Sequence, residues 1–174
     1  MMEVSITGWR GILKEKERII KKLDELRKKN IACQLMDAEK VYGKEHLMAA
    51  INHAVRAFLY KTNSCNSLDM EILLYASGKR QIKDAIEHIG IKEKGSFVLI
   101  LIGETPLPNY NGKIEKGMQN FMADFGLKRD DSVMEGSIEK LKKFGISEKE
   151  IKTVDASMYG DLILEKVAMV DVIK

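Results

Sequence analysis

The stretch SFVLILIG, residues 96–103, decides the fold of this 174-residue chain. It is a nearly continuous apolar run of strand length, which predicts a β-strand that is buried on both faces. Two further strands are predicted before it, at residues 4–7, where apolar and polar side chains alternate, and at residues 31–36. A strand that is covered on both faces needs packing elements on either side, so we expect a small mixed β-sheet with helices packed on it.

Helices are predicted for most of the remaining sequence. Apolar residues recur at intervals of three and four, which is the spacing of an amphipathic helix. We predict helices at residues 12–29, 44–61, 68–76, 81–89, 114–125, 132–144, 148–154 and 158–173. Residues 104–113 contain both prolines and are predicted to form a loop. The predicted fold class is therefore α/β, with α+β as the alternative, in a single domain over residues 1–174 whose C-terminal part is helical.

The composition is that of a globular protein, with 45% hydrophobic and 32% charged residues. No apolar run reaches the roughly 18 residues that a membrane-spanning helix needs, and the N-terminus lacks the pattern of a secretion signal. We therefore expect a cytoplasmic protein without a membrane partner. Cys33 and Cys65 form no CxxC pair and the three histidines have no metal-ligand spacing, so neither a metal nor a cofactor is predicted. The net charge of +3 permits a nucleic-acid partner but does not require one.

The pentapeptide SGKRQ, residues 77–81, places a lysine after a glycine, as the Walker phosphate-binding loop does. That loop requires GxxxxGK followed by Ser or Thr after a strand, whereas here Arg80 follows Lys79 and the preceding residues are predicted to be helical. We interpret Gly78 as the residue that ends one helix. Lys79 and Arg80 then begin the next helix, near the positive end of its dipole, which favours an anionic ligand such as a phosphate. No catalytic constellation stands out, so an enzyme is not predicted.

The helix predicted at residues 44–61 has two different faces. One face is a continuous apolar stripe that faces the core, and the other carries His46, His53, Arg56 and Tyr60 at steps of three and four. We expect the side chains of the polar face either to bind a partner, or to pack their stems on neighbouring elements while their polar end groups stay in water.

The helix predicted at residues 158–173 is apolar on nearly all sides. Such a helix must be covered on more than one side. It is therefore either the centre of the fold, or it packs with one face and binds a partner with the other. We favour the second arrangement, in which the helix binds a partner. The residues expected in this contact are Leu162, Ile163, Val167, Met169 and Val170.

Two long segments resemble the kinase-binding subunit family of the KEOPS complex, which is the family of the PRPK-binding protein, in its archaeal form. They are QLMDAEKVYGKEHLMAAINHAVRAF, residues 34–58, and EILLYASGKRQIKDAIEHIGI, residues 71–91. The family pattern D-A-x-x-V-x-G-x-x-H-L, A-x-R-A-F and E-x-L-x-Y-x-S-G-x-R-Q-I is present here at Asp37, Ala38, Val41, Gly43, His46, Leu47, Ala54, Arg56, Ala57, Phe58, Glu71, Leu73, Tyr75, Ser77, Gly78, Arg80, Gln81 and Ile82.

The resemblance implies a non-catalytic subunit. The KEOPS complex makes the threonylcarbamoyl modification on the tRNA adenosine beside the anticodon. Members of this family are expected to bind the kinase-like ATPase subunit of that complex and to recruit tRNA through its single-stranded 3′ CCA end. Such an RNA tail needs cations for its phosphates and planar groups on which bases stack. We therefore expect two helices to lie side by side and to form one tRNA-binding surface from Lys79, Arg80, Lys83, His46, His53, Arg56 and Tyr60.

Two other hypotheses stay open from the sequence. The chain is alternatively a protein-only regulator of the kinase, whose basic face is merely solvated. A small nucleotide-dependent enzyme is disfavoured by the missing glycine loop, and no small-molecule substrate is expected.

Overall fold

The computed structural model describes residues 2–104 and 113–174. The loop predicted around both prolines therefore lies, apart from its two end residues, outside the described residues. None of the helices within these two ranges is both long and apolar enough to cross a lipid bilayer.

A four-stranded sheet forms the middle of the structure. Its strands are β1 Met2–Ile12, β2 Ala32–Asp37, β3 Lys94–Glu104 and β4 Lys128–Arg129, in the spatial order β2-β3-β1-β4. The sheet, predicted as mixed, is antiparallel in all three of these pairings. β1 and β3 pair along their whole length, from Met2 opposite Glu104 to Ile12 opposite Lys94. The three predicted strands are confirmed, and the short, exposed β4 is an additional one.

Eight helices accompany the described part of the sheet. They are α1 Lys16–Arg27, α2 Gly43–Tyr60, α3 Leu68–Ser77, α4 Ile82–Ile89, α5 Lys113–Asp124, α6 Ile138–Phe144, α7 Glu148–Ile151 and α8 Tyr159–Ile173. The mixed class of helices and strands is thus confirmed. The first helix begins later than predicted because Ile12 still pairs with β3. The helix predicted at residues 132–144 is divided into a 3-10 turn and α6, since the Ser137 side chain caps α6 by accepting a hydrogen bond from the Lys140 N–H.

The central strand β3 is buried on both faces, as its apolar run predicted. Phe97, Leu99 and Leu101 pack on one side with residues of α1 and α5. Val98, Ile100 and Ile102 pack on the other side with residues of α2, α3 and α8. Each fully buried aliphatic side chain contributes about 1.5–3 kcal/mol. β3 therefore joins two hydrophobic cores into three layers: helices, sheet and helices.

Helix α3 is the central helix of the second helical layer. It packs against α2, α4 and α8, and its residues from Glu71 to Ser77 are all buried. Helices α2 and α8 run parallel, because Tyr42 just before α2 lies beside Gly160 at the start of α8, and His53 contacts Asp171 near its end. The helix that is covered on all sides is thus α3, while α8 keeps one face in solvent.

Candidate binding surfaces

Gly78 ends helix α3 in the left-handed conformation, with φ of +64°. Its N–H donates to the Tyr75 carbonyl oxygen at 3.0 Å, and the Lys79 N–H donates to Ser77 Oγ at 3.1 Å. The left-handed conformation is strained for residues with a Cβ, which explains the glycine without any nucleotide. The interpretation of Gly78 as a helix-ending residue is confirmed. Lys79 and Arg80 lie in the turn before α4 rather than inside that helix.

The three cations predicted around this turn have no described partner. Arg80 and Lys83 are exposed, Lys79 is half-buried, and none of them forms an ion pair or a side-chain hydrogen bond with the described residues. Arginine and lysine side chains without an internal partner are available to an external anion. The turn and the start of α4 therefore present positive charge to solvent.

Two further basic groups lie beside Lys79. His88 Nδ1 is 3.3 Å from Lys40 Nζ. Burial, together with the neighbouring ammonium groups of Lys40 and Lys79, lowers the pKa of His88 to about 4. Burial, Lys92 and Lys79 likewise lower the pKa of Lys40. We call Lys40, Lys79, Arg80, Lys83 and His88 the α3–α4 corner. Lys40 and His88 are absent from the sequence prediction because only the packing of α4 onto the turn after β2 brings them to Lys79.

His46 does not lie on an exposed face. It is 1% exposed, and its Nε2 lies 2.9 Å from the Ala76 carbonyl oxygen while its Nδ1 accepts from the Tyr42 N–H at 3.2 Å. The ring meets Phe144 edge to face at 5.6 Å. Burial lowers its pKa to about 4, so the imidazole is neutral at pH 7. His46 is a core residue that ties α2 to α3, and its predicted place on the RNA surface is wrong.

The predicted side-by-side arrangement of α2 and α4 is also wrong. Helix α3 packs against both of them and lies between them. His46 contacts the end of α3, and Tyr60 is 14 residues further along α2, which is roughly 20 Å at 1.5 Å per residue. His53, Arg56 and Tyr60 therefore lead away from the α3–α4 corner. The residues predicted to form one surface lie in two separate regions.

The second region centres on Asp171 of α8. Its Oδ2 is 2.7 Å from His53 Nδ1 and 3.4 Å from Arg56 Nη2, and its Oδ1 accepts a hydrogen bond from the Tyr75 hydroxyl. Burial on its own raises the pKa of the Asp171 carboxyl, but the hydrogen bonds from Tyr75 and His53 outweigh it and lower the pKa. Asp171 is thus a carboxylate at neutral pH, and it joins α8 to both α2 and α3.

A buried ion pair fixes the end of α8 on α3. Lys174 Nζ donates to Glu71 Oε1 at 3.0 Å and to the Tyr75 hydroxyl at 2.6 Å. Glu71 is fully buried and also accepts from the Ser64 and Cys65 N–H groups at 3.0 and 2.8 Å. These contacts hold the end of α8 in one position relative to α2 and α3.

Most residues predicted for the partner contact on α8 face inwards. Leu162, Ile163, Val167 and Val170 are buried in the cores beneath α8, so their assignment to a contact surface is wrong. Met169 is 41% exposed, and its place in a partner contact stays a prediction. The other exposed apolar side chains on this face are Val172, at 73%, and Ile173. The sequence did not separate the faces because both are apolar. We call Arg56, Met169, Val172 and Ile173 the α2–α8 surface, and the exposed Leu59 and Tyr60 lie at the same end of α2.

The described residues hold no group of three or more His, Cys, Asp or Glu side chains that could bind a metal ion. Burial raises the thiol pKa of both Cys33 and Cys65 to about 12. Neither thiol therefore has the character of a reactive nucleophile.

Known proteins resemble this chain along most of its length. The sequence model of the family described as kinase binding protein CGI-121 matches residues 13–171. The regulatory protein Cgi121 of Methanocaldococcus jannaschii is 31% identical over 144 residues, which are 81% of this chain and 84% of that protein. The EKC/KEOPS complex subunit CGI121 of Candida glabrata is 27% identical over 144 residues, which are 80% of this chain and 79% of that protein.

Proposed function

This chain belongs to the family of the kinase binding protein CGI-121, and on that premise we propose that it is a non-catalytic subunit of a KEOPS complex. In this proposal it binds the kinase subunit and recruits tRNA through the 3′ CCA end. The names of the two relatives, a regulatory protein and a KEOPS complex subunit, support such a role.

The observation that carries the kinase proposal is the exposed apolar face of α8. Met169 and Val172 project into solvent, although the opposite face of the same helix is buried in the core. Exposed apolar groups that lie together on a rigid element are typical of a protein contact. Because Glu71 and Asp171 hold the end of this helix, its apolar side chains are preorganised for a partner.

A pull-down with the kinase subunit tests this surface. We expect Val172→Glu and Met169→Glu to reduce capture at least about tenfold, since an apolar contact would be replaced by a charge that must be desolvated. Ile138→Glu on α6 is the matched control, because Ile138 is about as exposed as Met169 but belongs to another helix. Capture of the two α8 variants at the level of the control would refute the placement of the kinase on α8.

The RNA proposal rests on the α3–α4 corner. Lys79, Arg80 and Lys83 have no internal ion pair among the described residues, and Lys40 adds a further charge beside them. A cluster of unpaired cations suits the phosphates of a single-stranded RNA tail. A role for His53, Arg56 or Tyr60 in this contact remains a prediction. Contact with Tyr60 requires the RNA to extend roughly 20 Å along α2 from His46, and Tyr60→Ala tests whether a base stacks there.

Titration of labelled tRNA, with and without its terminal CCA, tests the RNA contact. We expect removal of CCA to weaken binding, and Arg80→Glu to weaken it by about tenfold and to reduce the salt dependence by about one unit of slope or more. Lys21→Glu on α1 controls for total charge, because Lys21 is exposed and α1 packs on the other face of the sheet from α3. Unchanged affinity in Arg80→Glu would favour the alternative of a protein-only kinase regulator.

A further inference from the structure

A cavity of about 360 Å³ lies beside β2, between α1 on one side and α3 and α4 on the other. Leu23, Leu35 and Leu73 line it and are buried, whereas Ile20 and Ile86 line it and are 39% and 50% exposed. A cavity of this size with mostly apolar walls is typical of a site for a small molecule.

Gln34 of β2 also lines this cavity, and its side-chain amide is incompletely paired. Gln34 is only 8% exposed. Its Nε2 donates a long hydrogen bond to the Leu35 carbonyl oxygen at 3.4 Å, and its Oε1 has no hydrogen-bond partner among the described residues. The reverse orientation of the amide would place Oε1 against that carbonyl oxygen, which is also an acceptor. A buried acceptor without a partner is costly, so a donor from outside the described residues would be favourable here.

The outer edge of β2 beside this cavity is already occupied, so a peptide strand cannot add to it. Arg27 Nη2 donates to the Cys33 carbonyl oxygen at 3.0 Å, and Met36 forms a β-bridge with Gly90. A ligand in the cavity must therefore be held by side chains rather than by the backbone of β2.

The charged residues among those that line the cavity are Lys16 and Arg27. Arg27 Nη1 donates to Asp24 Oδ1 at 2.6 Å, and its Nε lies 2.9 Å from Asp69 Oδ2, so two carboxylates offset the guanidinium. Lys16 is exposed, and its Nζ donates to the Ile91 carbonyl oxygen at 3.3 Å. The buried lining therefore offers no unpaired charge, which favours an uncharged ligand over an anion.

We propose that this cavity binds a small, uncharged, mainly apolar molecule with one hydroxyl or N–H group, and that this group donates a hydrogen bond to Gln34 Oε1. The apolar body of the ligand contacts α1 on one side and α3 and α4 on the other, and so ties these helices together. None of the lining residues named here belongs to the α3–α4 corner or to the α2–α8 surface, so the inference does not rest on the proposed function.

Two probes of nearly the same shape test the hydrogen bond in the full chain. 2-Naphthol carries a hydroxyl donor, and 2-methylnaphthalene carries a methyl group in its place. We expect 2-naphthol to shift the NMR signals of the amides of Ile20, Leu35 and Leu73. At ten times its dissociation constant, it should raise the melting temperature by roughly 3–5 °C.

Gln34→Met keeps the length of the side chain but removes the acceptor. The preference for 2-naphthol over 2-methylnaphthalene, measured as the ratio of their dissociation constants, should fall at least about threefold in this variant. The urea midpoint of Gln34→Met should equal or exceed that of the wild type, because an unpaired polar group is removed from a buried position.

A second variant tests the position of the site. Ile86→Glu should weaken the binding of both probes, because it places a charge where their apolar rings bind. Ile138→Glu on α6 is the matched control, since Ile138 is 44% exposed and lies on another helix. Unfolding curves of each variant confirm that any loss of binding comes from a folded protein.

Several outcomes would overturn the inference. Failure of both probes to bind the wild type would mean that the cavity is not a ligand site, and an equal preference for 2-naphthol in wild type and Gln34→Met would mean that Gln34 accepts no hydrogen bond from it. Tighter binding of 2-naphthoate than of 2-naphthol would show that Lys16 selects an anion. These titrations contain neither the kinase nor tRNA, so their failure would leave the proposed function intact.

Discussion

Replacing Glu71 by glutamine is expected to destabilise the fold strongly, although the two side chains have the same shape. The carboxylate accepts hydrogen bonds from the Ser64 and Cys65 N–H groups and from the Lys174 ammonium group. Glutamine has only one accepting oxygen, so its NH₂ group must face either the backbone donors or Lys174. The Lys174 side chain is 8% exposed, and its charge then keeps only the more distant carboxylate of Asp171, at 3.9 Å.

Removal of one partner from a buried ion pair typically costs about 3–5 kcal/mol. For a chain of this length, each kcal/mol corresponds to roughly 2–4 °C in the melting temperature. We therefore expect the melting temperature of Glu71→Gln to fall by roughly 6–20 °C, and its urea midpoint to fall accordingly. Since the pair also fixes the end of α8, kinase capture should weaken even at temperatures where the variant is folded.

Two further variants test whether the loss of stability in Glu71→Gln comes from the broken ion pair with Lys174. Glu148→Gln breaks the exposed pair with Lys142 and should leave stability unchanged within error. Glu71→Gln combined with Lys174→Met removes the uncompensated charge as well, and should be more stable than the sum of the single changes by about 1 kcal/mol or more. A melting temperature of Glu71→Gln equal to that of Glu148→Gln would refute the reasoning, and strictly additive effects would show that the two side chains do not act as a pair.

The remaining predictions concern single side chains. Gly78→Ala should lower the free energy of unfolding in urea by about 1 kcal/mol, because alanine is strained at positive φ, and Gly78→Asn should lower it less. Gly126→Ala is the control for backbone strain alone, because Gly126 has a φ of +76° and no atom lies near its added Cβ. Below pH 6.5 the unfolded chain protonates His46, whereas burial keeps the native pKa at about 4. The free energy of unfolding should therefore fall by up to roughly 3 kcal/mol between pH 6.5 and 4. A weaker dependence of the unfolding free energy on pH in His46→Gln would check this. The thiols of Cys33 and Cys65 have their pKa raised to about 12. They should react with dithionitrobenzoate at pH 8 at least about 100-fold more slowly in the folded than in the unfolded protein, and equal rates would contradict the raised thiol pKa.

Local patterns in the sequence were sufficient for most elements of the fold, although they missed the short β4 and the division of residues 132–144. The apolar run of β3 predicted a strand buried on both faces, because a strand with no polar side can only be stable between two layers. The glycine at position 78 predicted a helix end, because few other residues adopt positive φ at low cost. The spacing of apolar residues located the helices, since it depends on the helical repeat and not on distant neighbours.

The tertiary structure alone decided which side of each helix meets the rest of the protein. Helix α8 is apolar on both faces, so its sequence does not show that Val167 and Val170 face the core while Met169 and Val172 face solvent. His46 is polar and was predicted to be exposed, but α3 and Phe144 cover it, and the Tyr42 N–H and the Ala76 carbonyl oxygen satisfy its two nitrogens. The insertion of α3 between α2 and α4 separates the predicted RNA-binding residues into two surfaces. These outcomes depend on contacts between residues far apart in the chain, and a periodic pattern within one helix contains no information about which element packs against it.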